Sequence, residues 1–155
     1  MSQFLDYFEG RQIDWRDGRP VWWTLVPIRY QSDLLDATVA IPAELVSDLA
    51  SVPRLPLLWL AVGGRGIRSA VVHDFAYQFG YWLLNGDRLP VDRARADAVF
   101  YESLLADPVS GAGRARACEM WAGVRIGGRG VWHDRAARSP VLNPEWTRDW
   151  GVIGA

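Results

Sequence analysis

The chain holds two histidines, and one of them, His73, is followed directly by Asp74 and four residues later by Tyr77. A four-residue step puts His73 and Tyr77 on one face of a helix, and the three-residue step from Asp74 keeps it beside that face. Downstream, Asp97 falls in register with Phe100, Tyr101 and Leu104, so a carboxylate shares the apolar stripe of a second helix. An unpaired carboxylate in such a place is costly, and His73 is its natural partner. A carboxylate that accepts from one ring nitrogen fixes the imidazole tautomer and leaves the other nitrogen free as a base. Tyr77 is placed to donate to the same carboxylate, and Asp74 is left to bind a hard cation such as Ca²⁺ through oxygen. The same residues suit a structural network that ties two helices together, which is how buried polar groups are often satisfied.

A second candidate is the segment Ser47 to Arg54, in which Asp48, Ser51 and Arg54 are polar and Pro53 interrupts any regular helix or central strand. A loop between strands and helices is a common place for a substrate contact. Ser and Asp serve turns equally well by bonding to nearby backbone, so this is a substrate loop or a structural one. A Ser51-His73-Asp97 triad is conceivable, but Ser51 lacks a G-x-S-x-G context. Gly63-Gly64-Arg65-Gly66 is not a phosphate-binding loop of the Walker type. His133-Asp134 repeats the dipeptide in a polar setting that suits a solvated pair. With two histidines and the single Cys118, neither a standard zinc site nor an internal disulfide is expected.

These residues need elements to hold them. Ile13 to Arg16 and Val21 to Tyr30 read as strands flanking Asp17-Gly18, a hairpin dipeptide, and Thr38 to Ile41 reads as a further strand ending at Pro42. Ile67 to Leu83 reads as a helix closed by Asn85-Gly86. A second helix is expected from near Pro90 to Leu105, and a third from about Arg114 to Ile126, closed by Gly127-Gly128. Strands first and helices second predict an α+β fold, a small N-terminal antiparallel sheet followed by about three helices. Residues 1 to 132 are expected to form a single domain. Residues 133 to 155, with Pro140 and Pro144, read as an extended tail in which Trp146 and Trp150 are candidate docking residues.

Composition narrows the function classes. Seventeen basic against 18 acidic residues give a net charge of -1, which argues against a general attraction to nucleic acid or an anionic membrane. Arginines do cluster locally at Arg114, Arg116, Arg125 and Arg129. The most apolar window, Leu55 to Val62, is too short to span a bilayer and contains Pro56. The first residues carry acids and no long apolar run, so no signal peptide is expected.

The motifs as they stand resemble those of a family of phage and prophage proteins grouped as domain of unknown function 1353. They are Ser47-Asp48-Leu49-Ala50-Ser51-Val52-Pro53-Arg54, then His73-Asp74-Phe75-Ala76-Tyr77, then Ala96-Asp97-Ala98-Val99-Phe100, with Val124-Arg125-Ile126-Gly127-Gly128 following. The resemblance covers about residues 10 to 132. It implies a phage-encoded protein of the host cytoplasm or virion, with other phage proteins as partners, and it supplies no reaction. A second similarity, to the active-site helices of secreted and parvoviral phospholipases A2, rests on H-D-x-x-Y followed by A-D-x-x-F. It implies His73 as base, Asp74 as a Ca²⁺ ligand, Asp97 as the orienting acid and Tyr77 as its hydrogen-bond partner. The glycine-rich calcium loop of those enzymes has no counterpart well upstream, since Gly63 to Gly66 abuts the helix.

Three functions follow as expectations: a virion or tail-assembly component, a His-Asp hydrolase acting on a lipid or other ester, and a host-directed inhibitor.

Overall fold

The computed structural model of the protein describes residues 1–16, 19–47, 66–108 and 113–133. Eight strands and three helices are seen among them. The strands are β1 (Gln3–Phe4), β2 (Gly10–Arg16), β3 (Arg19–Thr24), β4 (Ile28–Ser32), β5 (Ala37–Ile41), β6 (Val46–Ser47), β7 (Tyr81–Leu84) and β8 (Asp87–Pro90). The helices are α1 (Ile67–Phe79), α2 (Arg93–Ala106) and α3 (Arg114–His133). One antiparallel sheet runs β1-β4-β5-β7-β8 and a smaller one runs β2-β3-β6. The α+β expectation holds, with most of the antiparallel strands ahead of the helices and the β7–β8 hairpin of the larger sheet falling between α1 and α2.

Period-two patterning builds the sheet face that receives the helices. Ile28, Tyr30 and Ser32 of β4 and Val39 and Ile41 of β5 are buried, while Arg29 between them faces out. Against that face lies α1, a helix buried on most of its circumference through Val71, Val72, His73, Phe75, Ala76 and Tyr77. A helix enclosed on all sides is a central element, and here it carries the polar residues of interest. A second apolar cluster joins Phe100 and Leu104 of α2 to Ala117, Met120 and Val124 of α3. Asp92 caps α2, its side chain accepting from the Arg95 amide at 2.7 Å.

Three expected boundaries move. Val21 to Tyr30 is not one strand: β3 ends at Thr24 and β4 begins at Ile28 in the other sheet. Between them Leu25 turns to donate to the Glu9 carbonyl, and Pro27 has no amide with which to continue a ladder. The helix from Ile67 stops at Phe79, where the Gly80 amide caps it by donating to the Ala76 carbonyl. Asn85-Gly86 is therefore the turn of the β7–β8 hairpin, with φ of 51° and 90°. Both central residues lie in the left-handed region, as a two-residue type I′ hairpin turn demands. Finally, α3 runs through Gly127-Gly128 to His133 rather than ending there. Asp17-Gly18, residues 48–65 and the segment after 133 lie outside the described residues.

Candidate functional site

The three helices converge on Asp97. Its Oδ1 lies 2.9 Å from His73 Nε2 and accepts from the Tyr77 hydroxyl at 2.7 Å. Its Oδ2 accepts from Arg125 Nη1 at 2.9 Å. Thus α1 supplies the histidine and tyrosine, α2 the carboxylate and α3 the guanidinium. His73 Nδ1, the nitrogen turned away from Asp97, lies 3.9 Å from Asp74 Oδ1, an ion-pair separation rather than a hydrogen bond. The imidazole also packs on Tyr77 and Phe100, with ring centroids 4.1 and 4.7 Å away. The site is closed: His73 is 1 % exposed, Asp74 2 % and Asp97 0 %, while the Arg125 side chain reaches solvent at 34 %.

Burial and charge act on these groups in opposite senses. Burial pulls the His73 pKa down, but the carboxylates of Asp74 and Asp97 outweigh it and hold the imidazole above its ordinary value. Burial raises the Asp97 carboxyl, and the bonds from His73, Tyr77 and Arg125 more than reverse that, leaving it below the usual carboxylate range. The Tyr77 hydroxyl is pushed far up by burial and by its bond to Asp97, with the nearby charge of Arg93 opposing.

Packing makes this convergence specific. Gly128 of α3 sits against Tyr77 so closely that a Cβ there would come within 2.5 Å of the tyrosine hydroxyl. Trp132, one turn on, meets the same ring edge-on at 5.1 Å between centroids. The absence of a side chain at residue 128 lets the C-terminal half of α3 approach α1, which accounts for Gly128 inside the helix.

Two further polar hubs serve the frame. Arg68 of α1 pairs with Asp107, donates to the Asp6 carbonyl at 3.1 Å and lies 4.6 Å over the Phe4 ring. Glu102 of α2 accepts from the hydroxyls of Ser2, Tyr30 and Ser32 and from the Leu34 amide, at 2.7 to 3.0 Å. On the outer surface, Leu34, Tyr101, Leu105 and Trp121 line an open, largely apolar depression of about 590 Å³.

His73, Asp74, Tyr77 and Asp97, singled out by spacing, come together. Asp48, Ser51, Arg54, Trp146 and Trp150 lie outside the described residues. Arg125 was visible in the sequence as one of several arginines, without any sign of its carboxylate partner. For Ca²⁺ at Asp74 the described residues offer little: no group of three His, Cys, Asp or Glu that could hold a metal occurs among them. Both Asp97 oxygens already accept from protein donors, whereas Ca²⁺ takes roughly six to eight oxygen ligands. No helix among the described residues is long and apolar enough to cross a membrane.

An α+β chain whose three helices close on a buried His-Asp-Tyr-Arg cluster is thus defined. Residues 22–124 match the family model described as protein of unknown function (DUF1353), and the chain belongs to that family. The matched span includes His73, Asp74, Tyr77 and Asp97 and ends one residue before Arg125. Comparison with curated proteins and with solved structures returns no match.

Proposed function

We propose that this protein is a non-catalytic component of a phage particle or of its assembly, in which the His73-Asp97 cluster fixes the packing of the three helices. The observation that carries the reading is the enclosure of His73, which is 1 % exposed with one ring nitrogen on Asp97 and the other facing Asp74. A general base needs a neutral nitrogen with access to the proton it removes. Two carboxylates beside the imidazole raise its pKa and favour the protonated form, which makes it less available as a base. The phage setting is supported by the motif resemblance. Binding is supported by the apolar depression beside Trp121 and by the tryptophans at 146 and 150, proposed as docking residues for other phage proteins. The test is co-sedimentation of the tagged protein with particles from an induced lysogen. Association lost on deleting Asn143 to Ala155 and kept in His73→Gln is the expected outcome. Absence from both finished particles and assembly intermediates of the same lysate sinks the reading.

A second reading, a His-Asp hydrolase, is favoured by one observation: the 2.9 Å contact of Nε2 with Asp97, reinforced by Tyr77, orients the imidazole as a catalytic dyad does. In that reading His73 is the base and Asp97 and Tyr77 are its orienting partners. It predicts fatty-acid release from phospholipid vesicles that disappears in His73→Gln at unchanged melting temperature.

A further inference from the structure

Arg93 and Arg125 are linked at the edge of the buried cluster, each fixed by a hydrogen bond between α2 and α3. Arg93, in the first turn of α2, donates through Nη1 to the Arg125 carbonyl at 2.9 Å. Arg125 in turn reaches Asp97, one helical turn after Arg93 on α2, through a single nitrogen at 2.9 Å. Arg93 also interacts with the Tyr77 hydroxyl, but among the described residues it has no carboxylate partner, and Nε and Nη2 of Arg125 have no protein acceptor. Arg93 is half-buried and the Arg125 side chain is 34 % exposed, so the unused donors border solvent. Asp97 offsets part of this positive charge, but its carboxylate is shared between Arg125 and His73. The protein fixes both, one by a backbone carbonyl and one by a buried carboxylate, so neither arginine can simply swing away without losing its anchor.

We infer that Arg93 and Arg125 form a receptor for a phosphate-type oxyanion at the α2–α3 edge of the cluster. A planar carboxylate is filled by one guanidinium fork, whereas a tetrahedral anion has oxygens for two guanidinia arriving from different helices. The site stands whether or not His73 takes part in any reaction.

The test titrates inorganic phosphate into the full chain at constant ionic strength, following the arginine Nε–Hε signals by NMR. Saturable shifts at Arg93 and Arg125 are expected. Arg93→Met, which leaves the three hydrogen bonds to Asp97 in place, is expected to weaken phosphate binding by about tenfold or more, the loss of a charge-assisted contact. Arg129→Met, at an exposed position further along α3, serves as control and is expected to bind as the parent does. No saturable response below about 10 mM phosphate, equal affinity in Arg93→Met, or tighter binding of acetate than of phosphate would each overturn the assignment; that concentration corresponds to only about 3 kcal/mol of binding. Unchanged melting temperatures without phosphate keep a folding defect from imitating the result.

Discussion

Tyr77 and Gly128 meet so closely that the tyrosine hydroxyl occupies the space a side chain at residue 128 would need, 2.5 Å from an ideal Cβ. That hydroxyl is also a donor to Asp97 at 2.7 Å, so the glycine and the carboxylate hold it from two sides. Gly128→Ala must push the ring away from Asp97 or lift α3 off α1. A loss of about 1–3 kcal/mol in urea denaturation is expected, from overpacking and a weakened buried hydrogen bond. Gly130, two residues on, has open space around its Cα, and Gly130→Ala should be neutral or gain up to about 1 kcal/mol by helix propensity. Equal effects of the two substitutions would contradict the close approach.

The charges of the cluster make stability depend on pH with a definite sign. The folded pKa of His73 is raised above the ordinary 6.5, so its contribution is complete below that pH and is lost as pH rises through the folded value. The folded pKa of Asp97 is lowered below 3.8, so its contribution is complete above that pH and is lost as pH falls through the folded value. Stability contributed by the pair should therefore be greatest between these two limits and decline on either side. In His73→Gln the alkaline decline should flatten. In Asp97→Asn the His73 titration, read by NMR, should shift to lower pH, and stability should fall by about 3–5 kcal/mol as Arg125 and His73 lose their shared acceptor. An alkaline slope identical in parent and His73→Gln would show that some other group produces it.

The β7–β8 turn offers a test of backbone conformation alone. Gly86 has φ of 90° and nothing within 4 Å of a would-be Cβ, so substitution there meets strain and no clash. Gly86→Ala should cost about 1–3 kcal/mol in denaturation experiments. Asn85→Gly should change stability little, because φ of 51° at Asn85 is equally open to glycine. Finding Gly86→Ala neutral would mean that the turn relaxes to another type.

How much of this was legible depends on the range of each interaction. His73, Asp74 and Tyr77 are neighbours on one helix, and their spacing alone placed them together. Asp97 could be added because an acid on an apolar stripe has few ways to be satisfied. Arg125 lies 28 residues beyond Asp97, and its role depends on how α3 packs, which no local pattern encodes. Asn85-Gly86 misled because left-handed residues serve both helix ends and hairpins. The deciding information was Gly80, already able to cap the helix, followed by the strand-prone Tyr81-Trp82-Leu83-Leu84. Gly128 misled for a different reason. Its small size answers to Tyr77, 51 positions earlier in the chain by the numbering, and a glycine used for close approach looks like a glycine used as a stop.

Glu102 joins residues that are far apart along the chain. Its carboxylate bonds to Ser2, Tyr30, Ser32 and Leu34 span separations of 68 to 100 residues. Long-range pairings of this kind slow folding, because the intervening chain must be ordered before the contact is rewarded. During synthesis, the N-terminal strand emerges well before its acceptor on α2 exists. The hydroxyls of Ser2, Tyr30 and Ser32 therefore have to wait for their shared acceptor until Glu102 leaves the ribosome, and in that interval the first half of the chain is most exposed to wrong partners.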